Sequence, residues 1–238
     1  MRKGLFYLLL TFIFGMAGGI FADQIFWPYF INRPLFEKYN LEQPPVYVTE
    51  RKEVVIQENT ALQDAVEKVT KTVVGVRTKL VSGGVIEGSG LVVTNDGLMV
   101  TLSSLAPSGS NPSFFTEAGP QIFQVLRRDA KTDLALVKLE ANNLVTTGFA
   151  DFTRLKLGQR VFLISYRLRN GSWQKSVNEG VIKTFNGDKI ETSIVEKSGF
   201  SGSPLFDIEG NLVGLVVAGP DNQVEAIPVS KIKALLDF

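Results

Sequence analysis

The chain contains no histidine and no cysteine among its 238 residues. Without cysteine there are no disulfides, no zinc–thiolate sites and no thiol nucleophile. Without imidazole as well, the usual transition-metal ligands are gone, and no carboxylate run with calcium spacing replaces them. No metal and no cofactor is therefore expected. A charge excess is also missing: 25 basic residues against 24 acidic ones offer nothing to attract a nucleic acid. The lack of histidine removes the side chain most often used as a general base near neutral pH.

Long apolar runs are scarce too, with one exception. Met1, Arg2 and Lys3 precede an uncharged stretch from Gly4 to Ala22. As a helix it spans roughly 28 Å at ~1.5 Å per residue, close to the ~30 Å thickness of a bilayer's hydrocarbon. A cleaved signal peptide is one reading and an uncleaved anchor the other. The run exceeds a usual signal core, and Ile20 and Phe21 make a poor cleavage site before Asp23, which favours the anchor. Arg2 and Lys3 then hold the N-terminus in the cytoplasm and place the rest of the chain outside. Trp27 and Tyr29 follow as an interfacial belt would. Gly15 and Gly19 have the spacing of a helix-pairing motif, but glycine is common in membrane helices, and that is the plainer account. Residues 23–59, with Pro28, Pro34, Pro44 and Pro45, read as a juxtamembrane connector.

Beyond the connector the text changes. Thr60 and Gln63 have capping-box spacing, and Ala61, Leu62, Ala65, Val66 and Val69 recur at helical intervals. A β-branched segment, TVVGVRTK, comes next. Short apolar strands then follow with turn punctuation: GLVVT, LMVTL, IFQVLR, LALVKL, RVFLISY, EGVIKTF, KIETSIV, NLVGLVV and VEAIPV. Asn95 to Gly97, Asn186-Gly187 and Glu209 to Asn211 read as turns between them. A last helix is expected over residues 230–238. Many strands with few helices predict a mainly β sandwich or barrel pair, and the chain divides into an anchor (1–22), a connector (23–59) and one β domain (60–238).

Three segments carry chemistry: Gly88 to Ala106 (GSGLVVTNDGLMVTLSSLA), Asp129 to Ala141 (DAKTDLALVKLEA), and Gly199 to Leu215 (GFSGSPLFDIEGNLVGL). The last is followed by EAIPVSKIKALL, residues 225–236. In this order and at these separations they resemble the high-temperature-requirement A (HtrA) family of trypsin-fold serine proteases, over about residues 60–238. The resemblance implies a double six-stranded β-barrel with a catalytic cleft between the barrels. It places Ser201 at the nucleophile position and Asp133 at the acid that orients the histidine. It also places the N–H groups of Gly199 and Ser201 at the oxyanion hole. Ser104 stands where the family has its histidine. Phe200 replaces a small polar residue and is expected to crowd the nucleophile loop, and Ser203 replaces a glycine.

A serine hydroxyl has no basic state near neutral pH. Loss of the histidine alone costs a serine protease about 10⁶ in kcat, about 8 kcal/mol of barrier. Lys131 and Lys197 lie near the motifs, but their spacing does not signal a Ser–Lys dyad. Without the base, Ser201 as a turn residue and Asp133 as a backbone-bonding residue are the simpler assignments. The leading expectation is a membrane-anchored, extracytoplasmic pseudoprotease that binds extended or unfolded polypeptide. The alternatives are an envelope endopeptidase with an unconventional or borrowed base, and a purely structural oligomer. The resemblance implies a homo-oligomer, a trimer, built on N-terminal aromatics such as Phe26, Trp27, Tyr29 and Phe30. It also implies a C-terminal PDZ domain; the sequence stops at Phe238, so regulation through such a domain is not expected.

Overall fold

The computed structural model describes residues 2–26, 60–196 and 199–237. Two compact units divide at Val55 and Ile56. In the first, helix α1 (Arg2–Phe21) continues into a wider-wound turn, Ala22–Phe26. The segment from Lys3 to Ile25 is long and apolar enough to cross a membrane. Its Thr11 hydroxyl donates to the Tyr7 carbonyl at 2.9 Å, so this polar group is satisfied within the helix. Trp27, Tyr29, Phe30, most of the expected connector and Lys197 lie outside the described residues.

The second unit opens with helix α2, residues 60–69, whose Ala65 and Val69 are buried as the periodicity requires. Seven strands follow: β1 (Val73–Lys79), β2 (Val85–Val92), β3 (Leu98–Leu102), β4 (Asn111–Thr116), β5 (Gly119–Gln121), β6 (Phe123–Asp129) and β7 (Leu134–Leu139). They form one antiparallel sheet in the order β5-β4-β1-β2-β3-β7-β6. The expectation of six strands needs one refinement. The sheet's two edges, β5 and β6, are halves of one extended segment interrupted only at Ile122, so the seventh strand is a bend in the sixth.

The remaining strands are β8 (Arg160–Arg169), β9 (Ser172–Phe185), β10 (Ile190–Val195), β11 (Pro204–Asp207), β12 (Leu212–Ala218) and β13 (Gln223–Pro228). They close into a six-stranded barrel in the order β10-β13-β12-β11-β8-β9. Helix α3 (Val229–Leu236) buries Val229, Ile232 and Leu235, and begins one residue before the expected position. The fold is the mainly β, trypsin-like architecture that the motifs imply.

The text of β8, RVFLISY, is apolar almost throughout because both of its faces are covered. Side chains on a strand alternate faces. Phe162, Ile164 and Tyr166 join the core shared with the first sheet, while Val161 and Leu163 fill the closed barrel. One strand thus ties the two halves together. Its hairpin with β9 turns at Asn170-Gly171, both left-handed, as a type I′ connection demands. Just past that turn, Trp173 lies across Gly75 of β1, stacked 4.4 Å from Phe115 and 5.4 Å from Tyr166. A β-carbon at Gly75 would fall inside the indole ring. Gly75→Ala is therefore expected to cost about 1–3 kcal/mol by overpacking, measured as a difference in unfolding free energy in urea.

Candidate functional site

Strand β3 ends in a tight turn, Ser103–Leu105, which leaves Ser104 exposed. Strand β7 pairs alongside it, Leu102 opposite Leu134, so the residue before β7 lies beside the turn. That residue is Asp133, held in the left-handed region at φ 54°. Its carboxylate accepts twice from one residue: the Ser104 N–H at 2.7 Å on Oδ1 and the Ser104 hydroxyl at 2.8 Å on Oδ2. The approach to Asp133 is braced by Asp129, which accepts from the Thr132 hydroxyl at 2.6 Å and the Lys131 N–H at 2.9 Å. Those bonds, the Thr132 hydroxyl's first, hold the Asp129 carboxyl below its usual range.

The Ser104 hydroxyl thus takes the donor role that an imidazole N–H would fill toward this aspartate. It supplies nothing on the far side to accept a proton. Among the described residues, the Ser201 hydroxyl makes no hydrogen bond. Lys131 lines a groove with Arg127, Asp188 and Lys231, and none of Ser104, Asp133 or Ser201 borders it. Nor does any cluster of three metal-capable side chains form among the described residues.

The loop carrying Ser201 is seated by β2. The Ser201 carbonyl accepts from the Ser89 N–H at 2.9 Å. A β-carbon at Gly88 would collide with that carbonyl, and one at Gly202, φ 73°, would collide with the Ser89 carbonyl. The Gly-Ser-Gly of the first segment, on its own readable as a mere loop, is part of a strand cut back so that this loop can lie on it. The Ser89 hydroxyl accepts from the Tyr166 N–H at 2.8 Å, which adds β8 to the same junction. Leu105, next to Ser104, reaches both Gly88 and Gly202, so the Ser104 turn and the Ser201 loop share a side-chain neighbour.

Phe200 does not do what the sequence suggests. Rather than crowding the cleft, it is 4% exposed and points into the closed barrel's core. A large apolar side chain between two half-buried loop residues finds its lowest free energy inward, where about 25 cal/mol per Å² of burial is available. Ser203, also unusual at its position, is buried, with its hydroxyl 3.4 Å from that of Ser89.

Two amides are left over. Gly202 and Ser203 spend their N–H groups on the Val216 and Phe200 carbonyls at 2.8 and 3.0 Å. Among the described residues, the N–H groups of Gly199 and Ser201 have no such partner. Sequence reasoning named these two amides. It missed an edge of β12 that is unpaired among the described residues. Val216 exchanges bonds with Gly202 and Ser203, while Gly219 turns its N–H to Gln223 on β13. By strand alternation the N–H and C=O of Ala218 face the same way as those of Val216, beyond the point where the neighbouring chain has turned off. No composition signal marks such an edge; it follows from register alone.

The model of the trypsin-like peptidase domain matches residues 88–215, more than half of the chain. The chain belongs to the trypsin-like peptidase family. Within it the chain is HtrA-like. It is 28% identical over 137 residues to a probable periplasmic serine endoprotease DegP-like of Halomonas elongata, a match covering 54% of the chain and 28% of that protein. A protein with the same description from Brucella suis biovar 1 is 26% identical over 170 residues, covering 64% of the chain and 33% of that relative. The match thus spans about a third of these relatives' length. In three dimensions the chain is similar to the HtrA-type protease AlgW with tripeptide, at a TM-score of 0.66 and 23% identity, over 74% of this chain and 62% of that one. That likeness speaks for the fold.

Proposed function

We propose that this HtrA-like chain is a membrane-anchored, extracytoplasmic protease homologue that holds extended polypeptide without cutting it. The observation that carries the reading is the Ser104–Asp133 pair. Both oxygens of the carboxylate are taken by a residue that cannot accept a proton, and among the described residues no basic side chain hydrogen-bonds the Ser201 hydroxyl. What remains is binding apparatus: the Gly199 and Ser201 amides, without a partner among the described residues, and the strand edge at Ala218, on which a peptide can add as a further strand. The apolar segment Lys3–Ile25 supports the anchor, and Arg2 and Lys3 before it support a cytoplasmic N-terminus. The description of the relatives as periplasmic agrees with that side. Residues 1–22 then serve as anchor, 23–59 as connector and 60–238 as the binding domain, with Ser201, Gly199 and Asp133 as cleft residues and Ser104 closing the acid.

The test uses the full chain in detergent micelles and an unfolded substrate, reduced casein. Neither the wild type nor Ser201→Ala is expected to cleave it, and neither reacts with a fluorophosphonate probe. Both retain casein on a pull-down. Ala218→Pro, which removes an outward N–H from a strand edge at little structural cost, lowers casein affinity at least about tenfold. Cleavage and labelling that vanish together in Ser201→Ala would overturn the reading in favour of an active endopeptidase.

A further inference from the structure

The strand hairpin β8–β9 brings a charge to the Ser201 loop. The Arg167 side chain lies directly over Gly199: a β-carbon built there would be 2.9 Å from its Nη1 and 3.1 Å from its Cδ. Its Nε is buried, and the residue follows Tyr166, whose N–H is pinned to the Ser89 hydroxyl at 2.8 Å. The backbone that carries the guanidinium is thus tied to the strand on which the Ser201 loop also rests. Gly199 at φ 74° leaves the space that the arginine fills. The guanidinium therefore lies within a few ångströms of the Gly199 amide, with the Ser201 amide two residues on, and neither amide has a partner among the described residues. A hydrolase's oxyanion site must bind a neutral carbonyl and favour negative charge only as it develops. A full positive charge held beside the amides favours a ligand that is already anionic.

We propose that Arg167, with the N–H groups of Gly199 and Ser201, makes this loop a receptor for the C-terminal carboxylate of a polypeptide. The inference rests on the polypeptide-holding function above and specifies its ligand. A chain adding to the β12 edge at Ala218 brings its main chain, and not its side chains, to the amides of the Ser201 loop. The main-chain group with a negative charge is the terminal carboxylate. One oxygen accepts from the Gly199 and Ser201 amides, as in other backbone nests that capture chain termini, and the other pairs with the guanidinium. The chain thereby holds the end of a polypeptide, the species a protease leaves behind, where its relatives would hold an uncut bond.

The experiment measures fluorescence anisotropy of the full chain in detergent with three fluorescein-labelled hexapeptides. One is Val-Thr-Val-Thr-Val-Ala as the free acid and the second is its C-terminal amide. The third is Val-Thr-Val-Thr-Val-Glu as the amide, which offers the same charge on a side chain. The free acid is expected to bind about tenfold more tightly than either amide, the gain of one charge-assisted contact. That ratio collapses to about one in Arg167→Gln and is partly kept in Arg167→Lys. The ratio within the wild type is read without any substitution, so misfolding of a variant leaves it standing. Equal binding of acid and amide, a Glu amide as tight as the acid, or a preference that survives in folded Arg167→Gln overturns the proposal. If casein still binds in those cases, the polypeptide-holding function survives alone. If neither casein nor any hexapeptide binds, both fall.

Discussion

Ser104→His is expected to convert this chain into a serine protease, with casein cleavage at least about 10³-fold above the wild-type background. The expectation follows from what is already in place. Asp133 presents one oxygen to the residue-104 N–H at 2.7 Å and the other to its side-chain donor at 2.8 Å. An imidazole at that position has a ring N–H to offer the second oxygen, which sets the tautomer and leaves the other nitrogen free to take a proton. Ser104 is exposed, so a larger side chain meets solvent rather than core. On the assignment that the family resemblance implies, Ser201 would serve as the nucleophile and the Gly199 and Ser201 amides as the charge-stabilising donors. Since loss of this base costs about 10⁶ in a working enzyme, recovery of half that factor on a logarithmic scale is a modest demand.

Two controls make the result specific. Ser104→His combined with Ser201→Ala must show no cleavage, and the single variant must gain fluorophosphonate labelling at Ser201. Its rate should rise with pH through the histidine's titration, about 6.5 unless shifted, because the neutral imidazole is the active form. A folded Ser104→His that stays inert would mean that the cleft has lost more than its base. Arg167 over Gly199 would then be the first suspect, and Arg167→Gln in the same background would test it.

How much of this was legible in the sequence depended on whether the signal was local. The strands with dense β-branched text, such as GLVVT, LALVKL and NLVGLVV, appear where their pattern puts them, in β2, β7 and β12. Strand β4 was not legible, because Asn111 and Pro112 open it and proline argues against an interior strand. The Asn170-Gly171 turn carries the same Asn-Gly hairpin signature as Asn186-Gly187 and lies between the runs RVFLISY and EGVIKTF. The Ser104–Asp133 contact could be anticipated, since the order of the motifs aligned two positions that β3–β7 pairing then set side by side. Arg167 could not. Its proximity to Gly199 is a product of hairpin length and barrel closure, separated in sequence by more than thirty residues and marked by no spacing rule. The seat of the Ser201 loop on Gly88 and Ser89 is likewise a three-dimensional fact that a Gly-Ser-Gly string conceals.

Phe200→Ala is expected to destabilise the β domain by about 3–5 kcal/mol, the largest single-residue effect on folding in this site. The ring is 4% exposed and joins Leu163, Leu205, Val213 and Val216 in the closed barrel's core. Truncation loses the transfer free energy of the ring and leaves a void that the barrel, fixed by ladders on all sides, cannot close. The void would open directly beneath Gly199 and Ser201, so the loop that Phe200 anchors from below would lose its footing. Urea unfolding of the variant against wild type measures the loss, and the acid-over-amide ratio for the hexapeptides should shrink with it. A cost below about 1 kcal/mol would show that the ring is not wedged. Phe200→Asn, which restores a small polar residue, is no remedy here: it buries an amide in an apolar barrel, a further cost of about 1–3 kcal/mol when no partner is at hand. The substitution pattern of the loop is then consistent in physical terms. Ser104 offers the acid a hydrogen-bond donor and Phe200 anchors the loop in the core, as the proposed polypeptide-holding function requires of a loop held for contact.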